Sequence, residues 1–205
     1  MTTIYLIRHG ENDFIGKTHK LAGWLPGIHL NDRGRVQAEA LADILSSEKL
    51  DAIYASPLER TVETAEPIAK TKGLELHKRK GLGEIGYGRW EGKSLKVLSK
   101  RKLWPVIQNT PSLARFPDGE SFVEAQDRVV SEVESLRTEH KSLKASFACV
   151  THADVIKLII AHYIGQPLDL FQRIVVMPAS ISILHIDRVP RLVTLNDMRA
   201  TRHKN

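Results

Sequence analysis

The sequence predicts an α/β fold built around a mostly parallel sheet. Strand-like apolar runs alternate with helix-like amphipathic segments along the chain, which is typical of this class. Three of the runs also stop at residues suited to phosphate: residues 3–7 before Arg8-His9, residues 52–55 shortly before Arg60, and residues 146–151 before His152. Because ligands bind beyond the carboxyl ends of strands in such sheets, we expect the three strand ends to converge on one site.

Length and composition limit the classes of protein to which the chain can belong. With 205 residues, 42% of them hydrophobic and 26% charged, the chain is large enough for one well-buried core, so we expect a single domain over residues 1–205. No basic region precedes a long apolar stretch at the start, which argues against a signal peptide or a membrane span and for a cytoplasmic protein. The only cysteine, Cys149, lies in an apolar run and is expected to be a buried structural thiol.

The net charge of +6 and the pI near 9.5 favour anionic ligands. Charge alone does not choose between a small phosphate ester and nucleic acid. The basic residues form three short, separated runs at 78–80, 100–102 and 199–204, and no nucleic-acid-binding motif accompanies them. A small phosphorylated substrate is therefore the expected partner, without nucleic acid or membrane. A homodimer is an alternative to a monomer that the sequence does not decide.

The helices have recognisable beginnings. Asn31 is the predicted cap of an amphipathic helix whose apolar face includes Leu41 and Leu45. After residues 52–55, Ser56 is predicted to cap the next helix, with Pro57 at its first position and Glu59 completing a capping box. Arg60 then lies in the first turn, where unpaired amides and the helix dipole already favour an anion. Pro67 predicts a kink or break near Glu66.

The second half of the chain also alternates between strand-like and helix-like segments. Five glycines within residues 81–92 predict a folded loop, which carries Glu84. Ser121 and Glu124 predict a second capping box at the start of a long half-exposed helix. The run at 146–150 predicts a buried strand, residues 155–164 a buried helix, and residues 181–186 with 191–195 a hairpin at the sheet edge.

Residues 6–11, Leu-Ile-Arg-His-Gly-Glu, resemble the signature of the histidine phosphatase superfamily, also called the phosphoglycerate-mutase-like family. Further segments match the family in the same order: residues 56–65, the loop 83–92, and Val150-Thr151-His152. Four ordered matches are far more specific than a lone Arg-His-Gly. The resemblance implies a three-layer α/β/α sandwich and a metal-independent phosphomonoesterase with no cofactor.

The resemblance also assigns roles. His9 would be the nucleophile, and a neutral imidazole suits that role at physiological pH. Arg8, Arg60 and His152 would surround the phosphoryl oxygens, His152 most effectively in its protonated form. Glu84 would act as general acid and base, for which its pKa must be raised toward neutrality. The residues assigned to phosphate binding besides these side chains are Ala153, Asn12 and Gly23. No metal ligand is assigned, and the sequence has no close cluster with zinc-ligand spacing.

The chain departs from the family pattern at two places. Many members have an asparagine seven residues after the nucleophile, whereas this chain has Gly16 there and Asn12 closer to the histidine. Many also have two glycines after the second histidine, whereas this chain has Ala153-Asp154. The Ala153 amide can still bind a phosphate oxygen, but Asp154 brings a negative charge close to the expected site.

Other interpretations stay open at this stage. A cofactor-dependent phosphomutase of the same family would carry a longer insert than residues 93–117 provide, so a phosphatase is favoured. A non-catalytic phosphate-binding scaffold and a basic nucleic-acid binder are further alternatives. Residues 17–29 and 103–116 are expected to form the rim of the site. The candidate contacts to the rest of the substrate are Lys17, Arg89 and Trp90. The other carboxylates that could approach the site in place of Glu84 are Glu11, Glu75, Glu91 and Asp154.

Overall fold

A central sheet organises the protein, which a computed structural model describes over residues 1–140 and 144–201. Within these residues the sheet has six strands in the order β3-β2-β4-β1-β5-β6. The strands are β1 (Thr2–Arg8), β2 (Ala52–Ala55), β3 (Leu76–Lys78), β4 (Ser146–Thr151), β5 (Ile181–Ile186) and β6 (Arg191–Asp197). β1 to β4 are mutually parallel, and β5 alone runs against them. The mostly parallel sheet and the edge hairpin of β5 and β6 are confirmed.

Helices cover both faces of the sheet, which confirms the three-layer α/β/α prediction. They are α1 (Asp13–Gly16), α2 (Asp32–Leu45), α3 (Glu59–Lys72), α4 (Leu95–Leu98), α5 (Leu103–Asn109), α6 (Phe122–Glu139) and α7 (Ala153–Tyr163). The core on one face joins α2 and α3 to the sheet, and the core on the other joins α6 and α7 to it. No helix in the described ranges is both long and apolar enough to cross a membrane.

Side chains of the buried strands alternate between the two cores, as strand geometry requires. In β4, Phe147 and Cys149 face the α6 and α7 layer, while Ala148 and Val150 face the α2 and α3 layer. All four are fully buried. Burial raises the pKa of the Cys149 thiol, consistent with the predicted structural thiol.

Two predicted helix caps are confirmed. Asn31 Oδ1 accepts a hydrogen bond from the Gly34 amide at 2.8 Å. At the start of α6, the Ser121 hydroxyl and the Glu124 carboxylate form the reciprocal capping box. The third basic run, 199–204, can be followed only to residue 201, because residues 202–205 lie outside the described ranges.

The predicted capping box at Ser56 is wrong. α3 begins at Glu59, its cap residue is Leu58, and no side-chain capping hydrogen bond is formed. Ser56 follows β2 directly and is fully buried, so its hydroxyl contacts the His152 ring on the neighbouring strand end instead. Arg60 is nevertheless in the first turn of α3, as predicted.

Of the kink or break predicted near Glu66, the break is absent, since α3 is continuous from Glu59 to Lys72 with Pro67 inside it. A proline ring has a helical φ and removes only one intrahelical donor. The burial of Ala65, Ile68 and Ala69 on either side of the proline holds both turns against the sheet. Packing on the sheet therefore outweighs the local cost of the proline.

A close approach of α2 to the loop after β1 predicts an unusual stability effect. A Cβ added at Gly34 would lie 2.0 Å from the Glu11 carbonyl oxygen. Glycine to alanine within a helix normally stabilises by about 1 kcal/mol. We expect Gly34→Ala instead to destabilise by about 1–3 kcal/mol, because this backbone contact cannot relax freely. Urea unfolding checks the sign, with Asp43→Ala on the exposed face of α2 as the matched control. A gain in stability for Gly34→Ala would contradict the close approach.

Candidate active site

The parallel strand ends bring the predicted residues together. Arg8 ends β1, His9 follows it, and His152 follows β4 on the adjacent strand. The His9 amide donates to the Thr151 carbonyl at 3.0 Å, which continues the pairing of β1 and β4 by one residue. The His9 and His152 rings consequently lie edge to face, with centroids 5.4 Å apart. Both rings are buried at the carboxyl ends of these parallel strands.

His9 has the tautomer that a nucleophile needs. Its Nδ1–H donates to the Gly10 carbonyl at 2.7 Å, because a carbonyl oxygen can only accept. This hydrogen bond leaves Nε2 without a proton. Burial, and then the positive charges of Arg60 and Arg8, lowers the pKa of His9 well below its ordinary value of 6.5. The ring is therefore neutral at physiological pH, with a lone pair on Nε2.

Two arginines beside His9 keep unused hydrogen-bond donors. Arg60 is 1% exposed, and its Nη2 donates to the Gly23 carbonyl at 2.9 Å. Arg8 Nη1 donates to the Val176 carbonyl at 2.7 Å. Within the described residues, Arg60 Nε and Nη1 and Arg8 Nε are buried and have no hydrogen-bond partner. Buried donors of a cation are almost always paired, so these groups indicate a site for an anion.

Asn12 is a third residue with an unused donor. Its Oδ1 caps α1 by accepting from the Ile15 amide at 3.1 Å, while its Nδ2, buried in the described structure, has no partner. Asn12 is 1% exposed and lines the same cavity as Arg8, His9 and Arg60. An unused donor of Asn12 is therefore available in this cavity, whereas Gly16 has no side chain to offer one.

His152 is held on both ring nitrogens. Its Nε2–H donates to the Ser56 hydroxyl at 2.9 Å, and its Nδ1 accepts from Arg60 Nη2 at 3.3 Å. Burial and the charge of Arg60, followed by His9, lower the pKa of His152 well below 6.5. These effects favour the neutral ring, and the negative charge of a phosphate dianion beside it would raise its pKa. α7 begins at the next residue, Ala153, so its positive end faces the same site.

Glu84 reaches the cluster from the glycine-rich loop. Its Oε1 accepts from the Ile85 amide at 3.0 Å, and its Oε2 lies 3.8 Å from His152 Nδ1. Burial, and then the negative charge of Asp154, raises the pKa of Glu84 to about 7. A carboxyl group with this pKa can both give and take a proton at neutral pH.

The loop is fixed by residues that sequence reasoning missed. Arg128 on α6 donates to the carbonyls of Gly81, Gly83 and Glu84 at 2.8, 3.0 and 3.2 Å. Trp24 Nε1 donates to the Glu84 carbonyl at 2.6 Å. No sequence pattern identifies Arg128, because its partners on this loop lie 44 to 47 positions away. Ser56 could have been found, since it also ends a strand that points at the site.

The other candidate residues fall into two groups, those that line the cavity and those that lie outside it. Among the competing carboxylates only Asp154 lines the cavity, whereas Glu91 accepts from the Tyr87 amide and Glu11 pairs with Arg33. Arg89 and Lys17 lie outside the cavity and pair with Asp118 and Asp13. Glu75 also lies outside the cavity, and Trp90 lines it. Gly23, with φ of +54°, contributes its carbonyl to Arg60.

A cavity of about 310 Å³ opens from the His9 cluster. Both predicted rim segments contribute to it, residues 19–22 from the first and Trp104, Ile107, Gln108 and Phe116 from the second. In the part of the chain that the structure describes, no group of three or more His, Cys, Asp or Glu side chains could hold a metal ion.

Comparison with known proteins shows which family and which relatives the chain is similar to. The family model described as histidine phosphatase superfamily (branch 1) matches residues 4–198. Phosphoserine phosphatase 1 of Hydrogenobacter thermophilus is 31% identical over 91% of this chain and 88% of its own length. A probable phosphoglycerate mutase, GpmB of Photorhabdus laumondii, is 28% identical over 95% of this chain and 89% of its own length. The solved structure of Bacillus stearothermophilus YhfR matches with a TM-score of 0.90 and 28% identity, covering 98% of this chain and 100% of that one.

Proposed function

The chain belongs to the histidine phosphatase superfamily and is a phosphoric monoester hydrolase, and we propose that it works through a phosphohistidine on His9 without a metal ion or cofactor. One observation carries this proposal. In the part of the chain that the structure describes, Arg8, Arg60 and Asn12 have buried donors without a hydrogen-bond partner, and they line the same cavity as the neutral His9. Such an arrangement supplies fixed positive charge for the phosphoryl oxygens and a lone pair for phosphorus.

In the first step, the His9 Nε2 lone pair attacks phosphorus and the bond from phosphorus to the ester oxygen breaks. Arg8, Arg60 and Asn12 donate to the phosphoryl oxygens as charge redistributes over them. The protonated Glu84 carboxyl gives its proton to the departing oxygen, which leaves as a neutral alcohol. The Nδ1 hydrogen bond to the Gly10 carbonyl stabilises the positive charge that develops on the ring.

In the second step, water attacks the phosphorus of the phosphohistidine. The Glu84 carboxylate takes a proton from this water as the bond between nitrogen and phosphorus breaks. The electron pair returns to His9 Nε2, inorganic phosphate leaves, and Glu84 is protonated again. In this scheme the Ala153 amide at the start of α7 donates to a phosphoryl oxygen. Gly23 holds the Arg60 guanidinium in place and belongs to the same phosphate site.

A panel of phosphate monoesters, assayed with and without a chelator, tests the proposed function. We expect release of inorganic phosphate and no loss of rate on chelation, because every proposed step uses protein groups alone. The wild-type protein dialysed against metal-free buffer is the control. Activity that vanishes on chelation and returns with a divalent cation would contradict metal independence, and no turnover of any ester would favour a scaffold.

The relatives support a phosphatase and leave a mutase as the alternative. A mutase returns the phosphoryl group to a second hydroxyl, so it would yield an isomeric ester instead of inorganic phosphate. By name, one relative acts on phosphoserine and another is a probable phosphoglycerate mutase. We further propose a cytoplasmic location and a small phosphorylated substrate, with neither nucleic acid nor membrane as partner. We also propose that the chain can form a homodimer, and light scattering measures its oligomeric state.

A further inference from the structure

The cavity is lined by two chemically different kinds of residue. The polar groups described above form one part of its wall. Its remaining wall is largely apolar, and the side chains responsible come from α1, α4, α5 and the neighbouring loops. They are Phe14, Ile15, Leu21, Leu95, Trp104 and Ile107. Four of these side chains are half-buried, Leu95 is exposed and Ile107 is buried. Apolar side chains that line an open cavity favour a ligand that removes them from water.

Stacked aromatic rings line one side of this wall. Trp104, which is half-buried, lies nearly parallel to Trp90 with centroids 6.4 Å apart. Trp90 meets Phe116 edge to face at 5.6 Å, and Phe116 meets Tyr87 edge to face at 4.9 Å. The Trp90, Phe116 and Tyr87 rings are buried. This chain of contacts supports the Trp104 ring, which lines the same cavity as His9 and Glu84.

A single carboxylate besides Glu84 lines the cavity among the described residues, that of Asp154. The Tyr87 hydroxyl donates to its Oδ2 at 3.2 Å, and Lys157 Nζ donates to its Oδ1 at 2.9 Å. Burial raises the pKa of Tyr87 well above its ordinary value, which keeps the phenol protonated as a donor. Asp154 is therefore held in one position, with 22% of its side chain exposed.

Few cationic side chains line the cavity in the described part of the chain. Of the lysines and arginines that line the cavity in the described structure, Arg8 and Arg60 belong to the phosphate site, and Lys20 is the other one. Lys20 is exposed, and its Nζ lies 5.7 Å from the centre of the Phe14 ring. Lys157 pairs with Asp154 and does not line the cavity. Among the described residues that line the cavity outside the phosphate site, the lysine or arginine available to a carboxylate on the leaving group is therefore the exposed Lys20.

Building on the proposed function, we propose that the substrate is a phosphate monoester of an uncharged aromatic or aliphatic alcohol, and that Asp154 excludes leaving groups that carry a carboxylate. The apolar wall takes up the carbon skeleton of the alcohol. The negative charge of Asp154, which Tyr87 and Lys157 hold beside the cavity, repels a second anion on the leaving group. O-phosphoserine and phosphoglycerate, which carry such a carboxylate, are consequently poor substrates for this chain.

The test of the charge filter compares phenyl phosphate with 4-carboxyphenyl phosphate, whose phenoxides have similar basicity. In the wild-type protein we expect kcat/KM for phenyl phosphate to exceed that for the carboxylated ester by about tenfold or more, the size expected of one nearby like charge. Asp154→Asn should remove most of this ratio. Because the ratio is taken within one variant, any effect of Asp154 on Glu84 cancels.

The apolar wall has its own test. Trp104→Ala should raise KM for 2-naphthyl phosphate about tenfold while changing the KM for methyl phosphate less than twofold, since methyl phosphate is too small to reach Trp104. Retained turnover of methyl phosphate shows that the variant is folded. Leu113→Ala removes an apolar side chain that is 79% exposed and outside the cavity, and serves as the control.

The outcomes separate the two proposals. Phosphate release from all esters, with O-phosphoserine or 4-carboxyphenyl phosphate preferred over phenyl phosphate, would overturn the substrate class and leave the proposed function intact. A selectivity ratio unchanged in Asp154→Asn would overturn the role of Asp154. No turnover of any ester would reject the proposed function, and the substrate class with it.

Discussion

Replacing His9 with alanine is expected to lower turnover of every phosphate monoester by a factor on the order of 10⁴ or more, the scale seen when a covalent nucleophile is removed. Alanine leaves no lone pair to accept the phosphoryl group. The donors of Arg8 and Arg60 remain, so we expect the variant still to bind phosphate or vanadate. Inhibition constants and calorimetry check binding, and phosphate release checks turnover.

The matched control for this variant is His162→Ala. His162 is an exposed histidine at the far end of α7, the helix that follows His152. We expect its loss to leave kcat within twofold of the wild-type value. If His9→Ala kept more than a few percent of the wild-type turnover, His9 would not be the nucleophile.

Replacing Glu84 with glutamine should slow the release of poor leaving groups by about 10²–10⁴-fold. An alkoxide needs the proton that Glu84 supplies, whereas p-nitrophenolate leaves without help. With p-nitrophenyl phosphate the first step should therefore survive in Glu84→Gln. The second step lacks its base, so we expect a burst of p-nitrophenol followed by slow turnover. Stopped-flow absorbance measures the burst, and an equal loss for alkyl and p-nitrophenyl esters without a burst would contradict the assigned role.

The same carboxyl group predicts the pH profile. The first step needs Glu84 protonated, so kcat/KM should fall as pH rises through about 7, the raised pKa of Glu84. The first step also needs His9 neutral, and because its pKa is lowered, the acidic fall should occur well below pH 6.5. Glu84→Gln should abolish the alkaline fall and keep the acidic one. An alkaline fall that persists in Glu84→Gln would assign that pKa to another group.

Strand periodicity alone predicts where Arg8, His9 and His152 come together. Each directly ends or follows a buried parallel strand, and the carboxyl ends of such strands share one edge of the sheet. Glu84 required the family resemblance, because a glycine-rich loop has no periodicity that places its side chains. Its position depends on Arg128, whose guanidinium binds the carbonyls of this loop from another helix.

Local patterns failed where a distant partner competed for the same group. Ser56 and Glu59 have the spacing of a capping box, but the Ser56 hydroxyl binds His152, 96 positions away, and Glu59 accepts from the Gly27 amide. The aromatic wall and the position of Asp154 arise from contacts between separate segments in the same way. Asp154 was visible in the sequence as a departure from the family, and only its contacts with Tyr87 and Lys157 fix its direction.

The central claim is that His9 carries the phosphoryl group during turnover. The most direct measurement mixes the protein with substrate for a few milliseconds, stops the reaction with alkaline denaturant, and maps phosphorylated peptides by mass spectrometry. The account predicts an acid-labile phosphoryl group on the peptide containing His9, formed and lost at rates compatible with kcat and absent from His9→Ala. Wild-type turnover with no phosphorylated histidine, or with the phosphoryl group on another residue, would contradict it.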